Sequence, residues 1–224
     1  GDRYFDALRP GIDPVGQPSA EDVITLRQLH LGKVREMFET LDVFVFTMGL
    51  TEGWEAVEDG TMYPMAPGVI AGSYDPARYR LHNLRAAEVR ADMEAFRLRL
   101  EAVNPKARIL LTVSPVPLAA TATQHHVLVA TTWSKSVLRA VAGELSADFD
   151  NVTYFPSYEI ISSAPARGMF FDPDLRTVNQ FGVDLVMQHF FSGQLATEFK
   201  LEGTEPEQEE LELICDEDLL DSGE

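Results

Sequence analysis

The sequence predicts an α/β domain in which a parallel sheet is wrapped by helices, and three observations carry that prediction. Strand-like and helix-like stretches alternate along the chain, the order expected of strand–helix–strand units. The strand-like stretches are apolar on both faces, as strands covered by two layers must be. The helix-like stretches carry apolar residues at helical spacing. A chain of 224 residues, 45% of them hydrophobic, is long enough for one such domain with a sizeable core.

The elements follow in order. "SAED" from Ser19 gives an N-cap serine with an acid three residues on, the capping-box spacing with Asp22 in place of the usual Glu. Val23, Leu26, His30, Val34, Met37, Phe38 and Leu41 then share one helical face. "DVFVFTMG" (42–49) is a doubly apolar strand. Residues 50–83 are rich in Gly, Pro and Asp and read as a long insertion on the active face. A helix from about Leu84 to Val103 turns Met93, Phe96 and Leu100 inward and is stopped by "NP" at 104–105. "ARILLTVSP" (107–115) is a second buried strand. "SKSVLRAVAGELSADF" (134–149) is a third helix, "NVTYFPSY" (151–158) a third strand, and a last helix runs from about Asn179 to Leu195.

Charge and cysteine usage narrow the function classes. The net charge of −18 argues against nucleic acid as a partner, since phosphates are bound by Lys and Arg. Eleven of the acids lie in residues 201–224, which hold no Lys or Arg, leaving −7 for the rest of the chain. That end reads as a disordered acidic tail, residues 198–224, behind a domain of residues 1–197, with "LELIC" as a candidate short helix for a partner. The single Cys215 permits no internal disulfide and fits a reducing compartment, the cytoplasm. No apolar run is long enough for a membrane span. The chain begins with Gly1 rather than Met, so its natural start is expected upstream.

In folds of this class the chemistry sits at the carboxyl ends of the strands. That rule points to "TMGLTEGW", "SPVPL", "SYEII" and the stretch that opens the last helix. No Gly-rich phosphate loop follows any strand, and no His or Cys pair has metal-ligand spacing; His125 and His126 are adjacent and point apart.

"REMFETLDVFVFTMGLTEGW", "VNPKARILLTVSPVPL", "HHVLVATTWSKSVLRA" and "NVTYFPSYEII" together resemble the GSCFA family, a branch of the SGNH/GDSL-type hydrolases, over roughly residues 13–192. The resemblance implies a flavodoxin-like three-layer α/β/α fold and serine-type ester hydrolysis or acyl transfer, with no metal or cofactor. Two departures accompany it. The Gly-Ser-Cys-Phe-Ala motif, whose Ser corresponds to the SGNH nucleophile, does not occur in this sequence, and the fold is expected to lack its first strand or strands. The family's Asp-x-x-His before the final helix is here Asp174 and Thr177, and a threonine cannot take a proton from a serine near neutral pH.

The remaining candidates each have a functional and a structural reading. Gly49, Thr51 and Glu52 occupy the block where related hydrolases place an oxyanion donor; the backbone N–H of Gly49 can donate, whereas an ionised Glu52 cannot. Structurally they are a strand-to-loop turn with an exposed acid. Ser114 lines the pocket or satisfies a strand-end backbone group. His126 is a spare base or a structural loop histidine, and Ser134 is a helix N-cap. Lys135 and Arg139 hold an anionic substrate group or are surface charge. Asp174 is the acid of a triad or a charge partner for the helix dipole.

Two functions stand: an esterase or acyl-transfer enzyme acting on a small ester or acylated saccharide, with this chain inactive for want of nucleophile and base, or a non-catalytic binding protein that reuses the pocket. Without the nucleophile strand, 42–49 becomes an apolar edge and predicts a homodimer through it.

Overall fold

The computed structural model describes the backbone of residues 3–198 and the side chains of residues 3–192. The expected acidic tail, its "LELIC" segment and Cys215 lie outside the described residues. Two compact units divide the chain, Gly1–Gln188 and His189–Glu224. The fold is α/β, with a three-stranded parallel sheet flanked by helices.

Helix α1 (Ala20–Thr40) begins where the capping pattern places it, with the Ser19 hydroxyl oxygen accepting the Asp22 N–H at 3.1 Å. Strand β1 (Val43–Met48) pairs in parallel with β5 (Arg108–Val113), from Val43 opposite Arg108 to Met48 opposite Val113. β5 pairs on its other side with β6 (Val152–Tyr154), giving the order β1-β5-β6. The central strand is the most deeply covered, and Leu111 and Val113 have no exposed surface. Helix α2 (Ala86–Val103) and helix α3 (Val127–Asp148) supply Val89, Leu100, Leu138, Val141 and Leu145 to the same core. Phe38, Phe44 and Phe96 lock α1, β1 and α2 together, with the rings of Phe44 and Phe96 5.0 Å apart. The Asn104 that stops α2 also donates from Nδ2 to the carbonyls of Phe38 and Leu41, closing the end of α1.

Four expectations are corrected. Residues 50–83, expected as a long insertion, carry regular structure that the sequence did not show. They contain an antiparallel sheet, β2 (Glu52–Ala56), β3 (Met62–Tyr63) and β4 (Tyr79–Asn83), in the order β3-β2-β4. These strands are short, and the Gly- and Pro-rich connections between them masked the alternation. α3 starts at Val127 rather than 134, where the His126 side chain caps its first turn; the β-branched residues there, weak helix formers, hid the start. The third strand ends at Tyr154, and Ser157–Ser162 is a helix, α4; Pro156 has no N–H to continue a ladder. The apolar face of α1 is only partly used: Phe38 and Leu41 pack on the core, while Leu26 and Met37 are exposed.

The small sheet is tied to α2 by charge. Glu55 accepts from Arg80 Nη2 at 2.9 Å and lies 2.8 Å from His82 Nδ1, while His82 Nε2 lies 2.9 Å from Glu88. Hydrogen bonds from Arg80 and then His82 lower the Glu55 carboxyl to about 2, and the bond to Glu55 raises the imidazole above its ordinary value. Glu88 also accepts the Arg85 N–H at the start of α2, which is the first cause of its own lowered pKa.

The last helix, α5 (Gln180–Glu198), opens with the Asn179 side chain accepting the Gly182 N–H at 3.0 Å. A Cβ on Gly182 would stand 2.9 Å from Phe170 Cβ and 3.1 Å from Ile161 Cδ1. Alanine in a helix ordinarily gains about 1 kcal/mol over glycine. Here overpacking of about 1–3 kcal/mol works against that gain. Gly182→Ala is therefore expected to lower stability, by about 1 kcal/mol, in a urea titration; a variant more stable than the parent would show that this helix start gives way easily.

Candidate functional site

The ends of β1 and β5 lie side by side, and the Ser114 N–H, one residue past β5, donates to the carbonyl of Met48, the last residue of β1, at 2.9 Å. The turn that follows β1 is held from α3 by two consecutive side chains. Ser134 Oγ accepts the Thr51 N–H at 2.9 Å, and Lys135 Nζ donates to Gly49 O at 2.9 Å. Ser134 is therefore no N-cap; it is buried in mid-helix as a backbone anchor. Thr51 is buried as well, with its hydroxyl on Asn83 Oδ1 at 2.7 Å and its carbonyl accepting from Leu84 N–H.

Lys135 is not surface charge. It is 2% exposed, and burial lowers its ammonium to about 8. Among the described residues no carboxylate pairs with Nζ. Gly49, by contrast, borders open space: a Cβ there would meet nothing within 4 Å. Glycine at this position is not demanded by a tight turn, and the room beside the Lys135–Gly49 contact stays free.

An open cleft of about 360 Å³ lies against this turn. Gly49, Leu50, Ser114, Lys135 and Arg176 border it, with the apolar stretch Val116–Ala120 between them. The Ser114 oxygen accepts the Val116 N–H at 3.2 Å, so Ser114 both shapes the strand end and faces the cleft. Arg176 donates from Nε to Pro117 O at 3.3 Å.

The Asp174–Thr177 stretch forms a closed turn. Asp174 Oδ1 accepts the N–H groups of Arg176 and Thr177 at 2.9 and 2.8 Å, and Oδ2 accepts the Thr177 hydroxyl at 2.6 Å. The Thr177 hydroxyl, followed by the backbone bonds, holds the Asp174 carboxyl below its ordinary pKa. Leu175, between them, adopts the left-handed conformation (φ 55°) that the turn requires. Asp174 caps its own turn, and Asn179 rather than Asp174 opens the helix.

The other candidates fall elsewhere. His126 caps α3, its Nδ1 accepting the Leu128 N–H at 3.2 Å. Glu52 is half-buried rather than exposed, accepting from Thr121 Oγ1 at 2.5 Å and from the Ala122 N–H at 3.1 Å, which ties β2 to the loop before α3. Arg139 pairs with Glu159 and stacks on Tyr154, 4.2 Å from its ring centroid. Of the predicted site residues, Gly49 and Ser114 come together, joined by Lys135 and by Arg176, which the sequence did not single out. Among the described residues no group of three His, Cys, Asp or Glu side chains is placed to hold a metal ion, and no helix is long and apolar enough to cross a membrane.

A parallel sheet flanked by helices, with an open cleft at the carboxyl ends of its strands and an Asp-x-x-Thr turn ahead of the last helix, defines an α/β protein. The GSCFA family model matches residues 7–190, and the chain belongs to the GSCFA family. No curated protein matches it.

Proposed function

We propose that the chain provides the scaffold, cleft and triad acid of an SGNH-type serine esterase or acyl transferase acting on a small ester or acylated saccharide, and that residues 1–224 do not turn such esters over. The turn that fixes Asp174 three residues before Thr177, with Arg176 reaching the cleft that Gly49 and Ser114 border, is the observation that supports the reading. The acid keeps its place, and the residue in the base's place carries no titratable group. The test is hydrolysis of p-nitrophenyl acetate by the chain alone and by a protein carrying a Gly-Ser-Cys-Phe-Ala serine upstream of Gly1. Hydrolysis by the chain alone would sink the claim of inactivity.

A second reading, a binding protein that reuses the hydrolase pocket, is favoured by the bond from the Thr177 hydroxyl to Asp174, which satisfies the carboxylate without any imidazole. Saturable ligand binding with no turnover in the extended protein would select it. Under either reading the expected location is the cytoplasm, the reducing compartment that a single cysteine suits.

We also propose that two copies associate through β1. Among the described residues β1 pairs on one side only, with β5, and Val45 and Phe46 are 50% and 39% exposed. An unpaired apolar edge is a template for another strand. Sedimentation is expected to show a dimer that Val45→Lys dissociates; a monomer at tens of micromolar would refute the edge as an interface.

A further inference from the structure

We propose that the cleft at the ends of β1 and β5 binds a small aliphatic monocarboxylate, with Lys135 as its buried cation and Arg176 at its rim. The inference rests on the same strand-end site as the proposed function but not on catalysis.

Three observations carry it. Lys135 is 2% exposed, borders the cleft and has no carboxylate partner among the described residues; the hydrogen bond it makes runs to a neutral carbonyl, Gly49 O. A buried ammonium is costly unless an opposite charge meets it. Among the described residues no acidic one lines the cleft, although the chain as a whole carries −18. The two charged residues that do line it, Lys135 and Arg176, are both cations.

The walls decide what kind of anion fits. Leu50, Val116, Leu118 and Ala119 are apolar and suit a hydrocarbon body rather than a hydrated polyanion. Lys135 keeps N–H donors beyond the one given to Gly49, and Ser114, whose oxygen accepts the Val116 N–H, keeps its hydroxyl proton to donate. That donor set meets the two oxygens of one carboxylate. Arg176 adds the guanidinium donors left over from its Nε bond to Pro117 O, so donor number would serve either anion, and it is the apolar walls that favour a carboxylate on a hydrocarbon body over phosphate. A carboxylate on an aliphatic chain is also the acid half of an ester, so the ligand class matches what ester cleavage at this face would release.

The experiment is calorimetric titration of the 224-residue chain with hexanoate, 1-hexanol and inorganic phosphate, none of which needs turnover to be read. Saturable hexanoate binding is expected, with hexanol and phosphate weaker. A charge-assisted hydrogen bond lost to Lys135→Met should weaken hexanoate by about tenfold or more, and Arg176→Gln, at the rim, by less. Hexanoate affinity of the parent should also fall as pH rises through about 8, where Lys135 loses its proton while Arg176 and the carboxylate keep their charges. If Lys135→Met does not fold, Arg176→Gln and this pH profile decide the matter. Absence of hexanoate binding at tens of millimolar, unchanged binding by Lys135→Met, a flat pH profile, or phosphate binding more tightly than hexanoate would each overturn the proposal. Hexanoate binding without ester hydrolysis in the extended protein would leave this site standing and remove the esterase reading. Hydrolysis without hexanoate binding would do the reverse.

Discussion

The 224-residue chain is expected to leave p-nitrophenyl acetate at its uncatalysed rate and to take no label from a fluorophosphonate probe, whatever serine is nearest the cleft. Serine attack needs a base that accepts the hydroxyl proton and an acid that orients that base. Asp174 is present but fully engaged, with Oδ1 on two backbone N–H groups and Oδ2 on the Thr177 hydroxyl. Its lowered pKa makes it a poor base. Removing a triad's base typically costs roughly 10⁴ to 10⁶ in rate. In a protein that carries the Gly-Ser-Cys-Phe-Ala serine upstream of Gly1, Thr177→His should raise turnover sharply, because Asp174 is already fixed at the spacing that would orient the imidazole. Full activity of that protein with Thr177 intact would mean another base. His126 is the first suspect, and His126→Asn is the better check than Ala, since asparagine preserves a cap for α3. If Thr177→His changes nothing, the Asp174 turn is only a helix approach.

The elements legible in the sequence were those whose pattern and packing agree. β1 and β5 are apolar on both faces and are the strands that form the parallel pair. Ser19 is an N-cap by residue type and by geometry. The small antiparallel sheet was hidden because its side-chain partners, such as Glu55 with Arg80 and His82, are charged and make the strands look like loop. The burial of Lys135, which the sequence offered either as an anion-holding residue or as surface charge, was hidden for a related reason. With the helix taken to begin at Ser134, a lysine beside the N-cap reads as surface. Lys135 is in phase with the buried residues Leu138, Ala142 and Leu145, and with α3 beginning at Val127 it lies well inside the helix, where that face is covered. Of the site, the strand-end rule located Gly49 and Ser114. It could not locate Arg176, which reaches the cleft through a loop whose path depends on the left-handed Leu175. His126 was legible as a loop histidine before a helix but not as its cap, because imidazole is an uncommon capping group.

Lys135→Met is expected to stabilise the chain at pH 7, and the gain should vanish as pH rises. The two side chains are similar in length, so the packing of the aliphatic stem is kept. What changes is the charge. Burial lowers the ammonium from 10.5 to about 8, so in the folded state the charged form is the disfavoured one. Below about pH 8 the lysine is protonated in both folded and unfolded chains, and folding bears the full cost of burying the charge. Between about 8 and 10.5 the folded chain has released the proton while the unfolded chain still holds it, so stability rises with pH across that window. A tenfold weakening of proton binding on folding corresponds to about 1.4 kcal/mol. Because the bond to Gly49 O is lost in the variant, the net gain is expected to be on the order of 2 kcal/mol at pH 7. Denaturant titrations of parent and variant at pH 7 and pH 10 measure it, with their difference shrinking toward zero at the higher pH. A difference that stays constant with pH would mean that Lys135 is hydrated within the folded chain. A variant less stable than the parent at pH 7 would mean that the Gly49 contact outweighs the buried charge, and that the lysine is retained for the turn rather than for a ligand.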